Sequence, residues 1–260
     1  MKKFTIFTAI LLGFIIILPL FAPFDPNEVN LNSIKLAPNL KNILGTDFLG
    51  RDELSRLLFA FRNSIFIGLL SGVFAIIFAF TFAFLALNSP KIVKTFLMRL
   101  LDAFLSLPNL LLILLFSAFS DKGFNIFTIS LLLAIFSFGS AAKVIHDEFL
   151  SISKNEYILN AKALGAGRLE IMFCEILPVA KNSVFVIFIN ICAHAISTEA
   201  LLSFFGLGLM VGEASLGNML NEAAKAIFAG AWWLVLTPGL AIFVTVLSLM
   251  LVGERVQKDD

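Results

Sequence analysis

Charged residues in this chain are gathered into short stretches that separate long apolar runs. Six runs stand out: Phe4–Ala22, Ser64–Leu87, Ala103–Phe119, Phe124–Ala142, Ser183–Phe205 and Trp232–Val252. The first two hold 19 and 24 residues without a charge. A helix needs about 20 apolar residues to cross a bilayer, so the pattern predicts an all-α membrane protein with six transmembrane helices. A cleaved signal peptide is the competing reading of the first run, which follows Lys2 and Lys3. That run is longer than the ~7–15 residues of a signal core, and Pro23 follows Ala22 where a small-residue cleavage site would fall. A retained span over residues 1–22 is the expectation.

The stretches between the runs complete the layout. Residues 23–63 read as an outer (periplasmic) loop with prolines early on, ending in a short capped helix over Asp52–Phe61. Residues 64–253 form the membrane domain, and 254–260 are a polar tail. Asn88-Ser89-Pro90 breaks the second span, and Pro108 lies near the start of the third. Gly206–Ala231 is half apolar and rich in glycine. It reads as a partly re-entrant loop, tolerated at membrane depth where protein or water covers its backbone. With both termini in the cytoplasm, the inner pieces hold 12 of the 19 Lys and Arg residues, as the positive-inside rule requires. The hydrophilic loop over 145–181 is then cytoplasmic.

That loop contains the longest polar, helix-forming segment, Glu156–Pro178. Ser153-Lys154-Asn155-Glu156 fits a capping box. Gly165 stands where a left-handed residue ends a helix. Arg168–Ile176 forms a second short helix, with Pro178 as its stop. Tyr157, Ala161 and Leu164 share one face at spacing i, i+4, i+7. Such a face suits docking into a groove on a partner, and it equally suits a hairpin packed under its own bundle.

Composition agrees with the membrane reading. The chain is 59% hydrophobic and 14% charged, against about 25% charged in an ordinary soluble domain. Its net charge of +1 gives no basic field for nucleic acid. Cys174 and Cys192 fall in water and in the membrane respectively, so no disulfide is expected between them. Within the fifth span His194 and Glu199 are ionisable, and such groups inside a membrane face a pathway or a partner. His194 is a candidate metal ligand, although Cys192 at i−2 points to another helix face. A helix–helix contact is the plainer role for it. Asp102 can pair with Arg99 one turn away. Gly45-Thr46-Asp47 and Gly50-Arg51-Asp52 lack the carboxylates that would complete a cation loop. No set of residues reads as catalytic and no cofactor is expected. An intramembrane hydrolase would need a paired nucleophile and base or H-E-x-x-H, and neither is present. A secondary transporter would show inverted repeats, and no strong internal repeat is visible.

Three motifs in order carry a resemblance. Tyr157, then Ala161-Lys162-Ala163-Leu164-Gly165-Ala166, then Ile176-Leu177-Pro178, resembles the cytoplasmic EAA signature of binding-protein-dependent ABC importer permeases. Leu44-Gly45-Thr46-Asp47-Phe48-Leu49-Gly50-Arg51-Asp52 and Glu199-Ala200-Leu201-Leu202-Ser203-Phe204-Phe205-Gly206-Leu207-Gly208 resemble the peptide/nickel branch of that family. The chain is similar to the downstream member of the two permeases such importers pair. The resemblance implies a bacterial inner-membrane subunit with four partners: a second permease, cytoplasmic ATPase subunits, a periplasmic binding protein and the bilayer. It implies coupling to the ATPase through Tyr157, Ala161, Lys162, Leu164, Gly165, Ala166, Leu177 and Pro178, and a shared structural or gating role for Glu199 and Ser203; His194 joins them as a pathway or gating candidate on its place inside a span alone. The cargo implied is small peptides or nickel, free or chelated, a nickel-specific permease being the alternative. The chain has no G-x-x-x-x-G-K-[ST] loop, so ATP hydrolysis falls to a separate subunit. Leu159 and Asn160 depart from the signature's Glu and Ala, and Cys174-Glu175 from an Arg-His pair.

Overall fold

The computed structural model describes residues 17–258 apart from 121–122, 211, 225 and 227–228. Among the described residues, strand-like pairing is confined to isolated bridges, Thr46 with Asp52 and Phe124 with Leu209. The expected first span lies mostly outside the described residues, and Leu18–Phe21 at its end form a 3-10 turn.

Helix α1 is Glu53–Asn88, 36 residues long. The short helix expected over Asp52–Phe61 and the span expected from Ser64 are therefore one element. No proline interrupts it, and its polar junction is satisfied by one neighbour on the same helix and one distant partner. Arg62 lies over the Phe59 ring, 5.1 Å from the centroid, and Asn63 Nδ2 donates to the Ala214 carbonyl oxygen at 2.8 Å. Asp52 caps the start, its Oδ2 accepting from the Ser55 N–H at 2.8 Å and the Ser55 hydroxyl at 2.7 Å.

Helices α2 (Lys91–Leu105) and α3 (Asn109–Ala118) replace the expected continuous third span. They are bent by 75° across Ser106–Pro108. Pro108 offers no N–H to the helix and keeps Leu107 out of the helical region, which is enough to break it. Helix α4 is Ile126–Ile152 and α5 is Glu156–Ala163. Helix α6, Arg168–Phe204, runs unbroken for 37 residues. Helix α7 is Leu216–Ala223. Helix α8, Trp233–Lys258, absorbs most of the expected tail. Arg255 and Lys258 in its last turn favour this extension, because cations stabilise the negative end of a helix. Among the described residues four helices (α1, α4, α6 and α8) are long and apolar enough to cross a membrane, or five if the bent pair is one span.

The chain divides into two compact units. One holds the described residues of 70–113, 130–195 and 248–258. Its core is built on Ala75, Ala79 and Ala83, a row of small side chains on α1. Small residues let helices approach closely where lipid gives no hydrophobic drive for packing. Phenylalanines fill the remaining space, Phe80 against Phe149 with centroids 5.7 Å apart and Phe78 against Phe138 at 6.4 Å. The other unit holds the described residues of 1–69, 114–129 and 196–247. It has two smaller cores, one around Ala60, Leu216 and Met219 and one around Ala223, Trp233 and Leu234.

Candidate coupling site

The hydrophilic loop begins where α4 ends. Ser153 was expected to cap the next helix. Instead its hydroxyl donates back to the Leu150 carbonyl oxygen at 2.8 Å, and Asn155 takes the N-cap position without a side-chain bond. Ser153 sits within reach of the last open carbonyls of α4, and those claim it first. At the far end of α5 the Gly165 N–H donates to Lys162 at 3.1 Å and the Ala166 N–H to Ala161 at 3.0 Å. These two bonds are a Schellman motif, and Gly165 takes the left-handed φ of +93° that it requires. A half capping box forms one turn later, where the Glu170 carboxylate accepts from the Gly167 N–H at 3.2 Å.

Pro178 does not stop the second helix. The six residues Ile171–Ile176 form a π-helical stretch, and the Leu177 N–H donates to the Met172 carbonyl five residues back. The wider turn accommodates the proline ring, and the α-helical part resumes at Leu177 without a break at Pro178.

Ile158 decides the orientation of α5. It is 0% exposed and packs with Ile171, Met172 and Ile176 in the core of its unit. Tyr157 and Leu164 are 41% and 89% exposed. Lys162, Gly165 and Pro178 are also exposed, while Ala161, Ala166 and Leu177 are half-buried. Tyr157 and Leu164 are thus turned away from the chain's own core, with Ala161 at the edge of their face. Arg168 fixes the second half of the loop by donating to the Asn88 carbonyl oxygen at 3.2 Å.

The other candidates fall elsewhere. Glu199 is 0% exposed and sits in a closed knot of hydroxyls. Ser203 Oγ donates to it at 2.7 Å and Ser64 Oγ at 3.2 Å. Ser203 Oγ accepts in turn from the Leu209 N–H at 3.2 Å. Gly217 comes so near that a Cβ there would lie 2.5 Å from the Ala200 carbonyl oxygen. Glu199 and Ser203 therefore hold the segment after α6 in place. His194 lies on an exposed side of α6, whereas Cys192 is buried against Gly72. Among the described residues no group of three His, Cys, Asp or Glu could hold a metal. Asp102 pairs with Lys143 at 2.6 Å instead of Arg99, because α4 brings the lysine closer.

Sequence reasoning missed two features. Ile158 gave no signal because an apolar residue off the Tyr157 face reads as noise in a short helix. Glu222 was not singled out either. Its carboxylate accepts from Arg51 at 2.6 Å and from Arg56 at 2.5 Å, while Asp47 holds the same two guanidinium groups at 2.6 and 2.7 Å. The cluster ties the Leu44–Asp52 motif and the first turn of α1 to α7, Arg56 and Glu222 being 166 residues apart in sequence.

Residues 71–259 match the family described as binding-protein-dependent transport system inner membrane component. The chain belongs to this family. The Haemophilus influenzae "Dipeptide transport system permease protein DppC" is 32% identical over 245 residues, 92% of this chain and 82% of the relative. The Pseudomonas aeruginosa "Di/tripeptide transport system permease protein DppC" is 34% identical over 242 residues, covering 91% and 79%. The Bacillus subtilis "Oligopeptide transport system permease protein OppC" is 29% identical over 257 residues, covering 97% and 83%. Membership makes the chain a permease subunit of an ABC importer, with several membrane-capable helices. The names of these three relatives refer to peptide transport and none refers to nickel.

Proposed function

We propose that this chain is one of two permeases in an importer for small peptides, six spans with both termini in the cytoplasm. A binding protein delivers the peptide from outside, and the exposed face of α5 engages a separate ATPase. The observation that carries this reading is the division of labour within α5. Ile158 anchors it from beneath, while Tyr157 and Leu164 stand in solvent with no partner in their own chain's core. A short helix fixed on one side and apolar on the other is a rigid part that a moving partner can push. The positive-inside distribution of Lys and Arg supports the same orientation.

Leu164→Asp and Ile158→Ala separate docking from anchoring. With Leu164→Asp we expect loss of the co-purifying ATPase and an unchanged melting temperature of this subunit. With Ile158→Ala we expect a destabilisation of about 2–4 kcal/mol. Retention of the ATPase at wild-type level by Leu164→Asp would remove α5 from the docking surface.

A further inference from the structure

Two long helices carry polar side chains away from their ends that the knots described above do not use. Ser137 and Ser140 lie in the middle of α4, and Asn190 and His194 in the second half of α6. Asn109 opens α3 directly after the break at Pro108. These five residues line one cavity of about 260 Å³, the remainder of whose wall is alanine, valine and isoleucine. The Asn109 Oδ1 is buried without a hydrogen-bond partner. Ser140 donates to the Ser137 carbonyl oxygen at 3.2 Å, which leaves its lone pairs to accept. Asn190 and His194, one turn apart, are both exposed.

Polar groups at membrane depth are costly unless something polar meets them. Non-helical backbone at that depth is tolerated where it is covered by protein or lines a cavity. A broken helix, an orphaned carboxamide oxygen and the side chains of Ser137, Ser140 and Asn190 around one space meet both conditions. No Asp, Glu, Lys or Arg lines the cavity. Its walls are therefore unsuited to the charged ends of a peptide and suited to neutral amides. A carboxamide offers both a donor and an acceptor, as a peptide group does.

We propose that this cavity is a transient subsite for the main-chain amides of a peptide in transit, with Asn109 and Asn190 as the hydrogen-bonding residues. The inference rests on the peptide-import reading. The cavity is smaller than the ~300–1,000 Å³ of a pocket that encloses a whole ligand, so it takes one residue of an extended chain at a time. Recognition through the main chain leaves side chains unread, and weak holding lets the cargo leave.

The test uses the whole importer, purified through a tag on this chain and placed in proteoliposomes with saturating binding protein. The probes are tri-alanine and its depsipeptide analogue, in which an ester oxygen replaces one amide N–H. The wild type should transport the amide faster than the ester. Asn109→Leu and Asn190→Leu should each lower tri-alanine uptake about tenfold, the effect of one lost hydrogen bond, and should erase the amide/ester difference. Ser140→Ala, which disturbs packing least, should shrink that difference in the same direction. An amide/ester ratio unchanged in all three variants overturns the proposal, as does loss of the second permease from the variants, which would make the cavity an interface. Failure of the intact wild-type complex to take up tri-alanine at all would overturn the peptide-import reading itself.

Discussion

Two serine hydroxyls, of Ser64 and Ser203, converge on Glu199, and neither faces solvent. Each would be left without an acceptor if the carboxyl were removed, and a buried unsatisfied group costs about 1–3 kcal/mol. Glu199→Leu should therefore destabilise the subunit by roughly 2 kcal/mol or more. Glu199→Gln keeps one acceptor, and a serine can rotate to accept from the new amide, so about 1 kcal/mol is expected. Thermal unfolding of the purified complex distinguishes the two, and equal losses would mean that the charge matters more than the hydrogen bonds. The same arithmetic applies to Arg56, whose side chain is buried between Asp47 and Glu222. Removing one partner of a buried pair costs about 3–5 kcal/mol. Asp47 and Glu222 keep Arg51, and Glu222 is partly exposed, so Arg56→Met belongs at the lower end of that range. Full stability in Arg56→Met, read from the same melting curves, would show the cluster to be a surface ornament.

At the scale of elements, the question is what sets the register of the loop on α6. Two causes compete at the π-helical stretch. Pro178 favours a wide turn, and Ile171, Met172 and Ile176 are buried only in the register that this turn creates. Burying an aliphatic side chain is worth about 1.5–3 kcal/mol, and three of them outweigh the preference of one proline. Pro178→Ala should leave peptide-stimulated ATP hydrolysis within about twofold of wild type, because ordinary substitutions away from such packing cost little. Met172→Ala should cost about 2–5 kcal/mol. Collapse of activity in Pro178→Ala with a normal Met172→Ala would reverse the order of causes. This is also where the sequence was hardest to read. Apolar runs long enough to cross a bilayer announced α1, α4, α6 and α8. Whether a local feature ends a helix depended on partners far away: Asn63 is held by Ala214, 151 residues on, and Pro178 by a core that buries the π turn. At Pro108 no such rescue exists, and there the helix breaks. Gly165 was legible because a left-handed residue after a helix has a local signature, whereas the capping box at Ser153 was lost to the carbonyls of α4.

For the whole molecule the central claim is mechanical: a loop with one anchored and one exposed side transmits the work of an ATPase to a peptide pathway. The candidate site was legible as far as its exposed residues, whose motif and spacing stand in the sequence. Its anchor, Ile158, was not, because burial is a property of the assembled core. Two neighbouring glycines allow a clean test. Neither has an atom within 4 Å of a Cβ placed on it, so neither substitution creates a clash. They differ in backbone conformation: Gly165 has φ +93°, while Gly167 has φ −71°. A β-branched residue is strained at the first position, and alanine is not at the second. The decisive measurement is ATP-driven uptake of tri-alanine, with hydrolysis followed in parallel, by the complete importer in proteoliposomes. Gly165→Val should assemble normally, lose peptide stimulation of hydrolysis and lower uptake at least about tenfold, while Gly167→Ala stays within about twofold of wild type. Wild-type uptake and stimulated hydrolysis in Gly165→Val would contradict the claim that this turn carries the coupling.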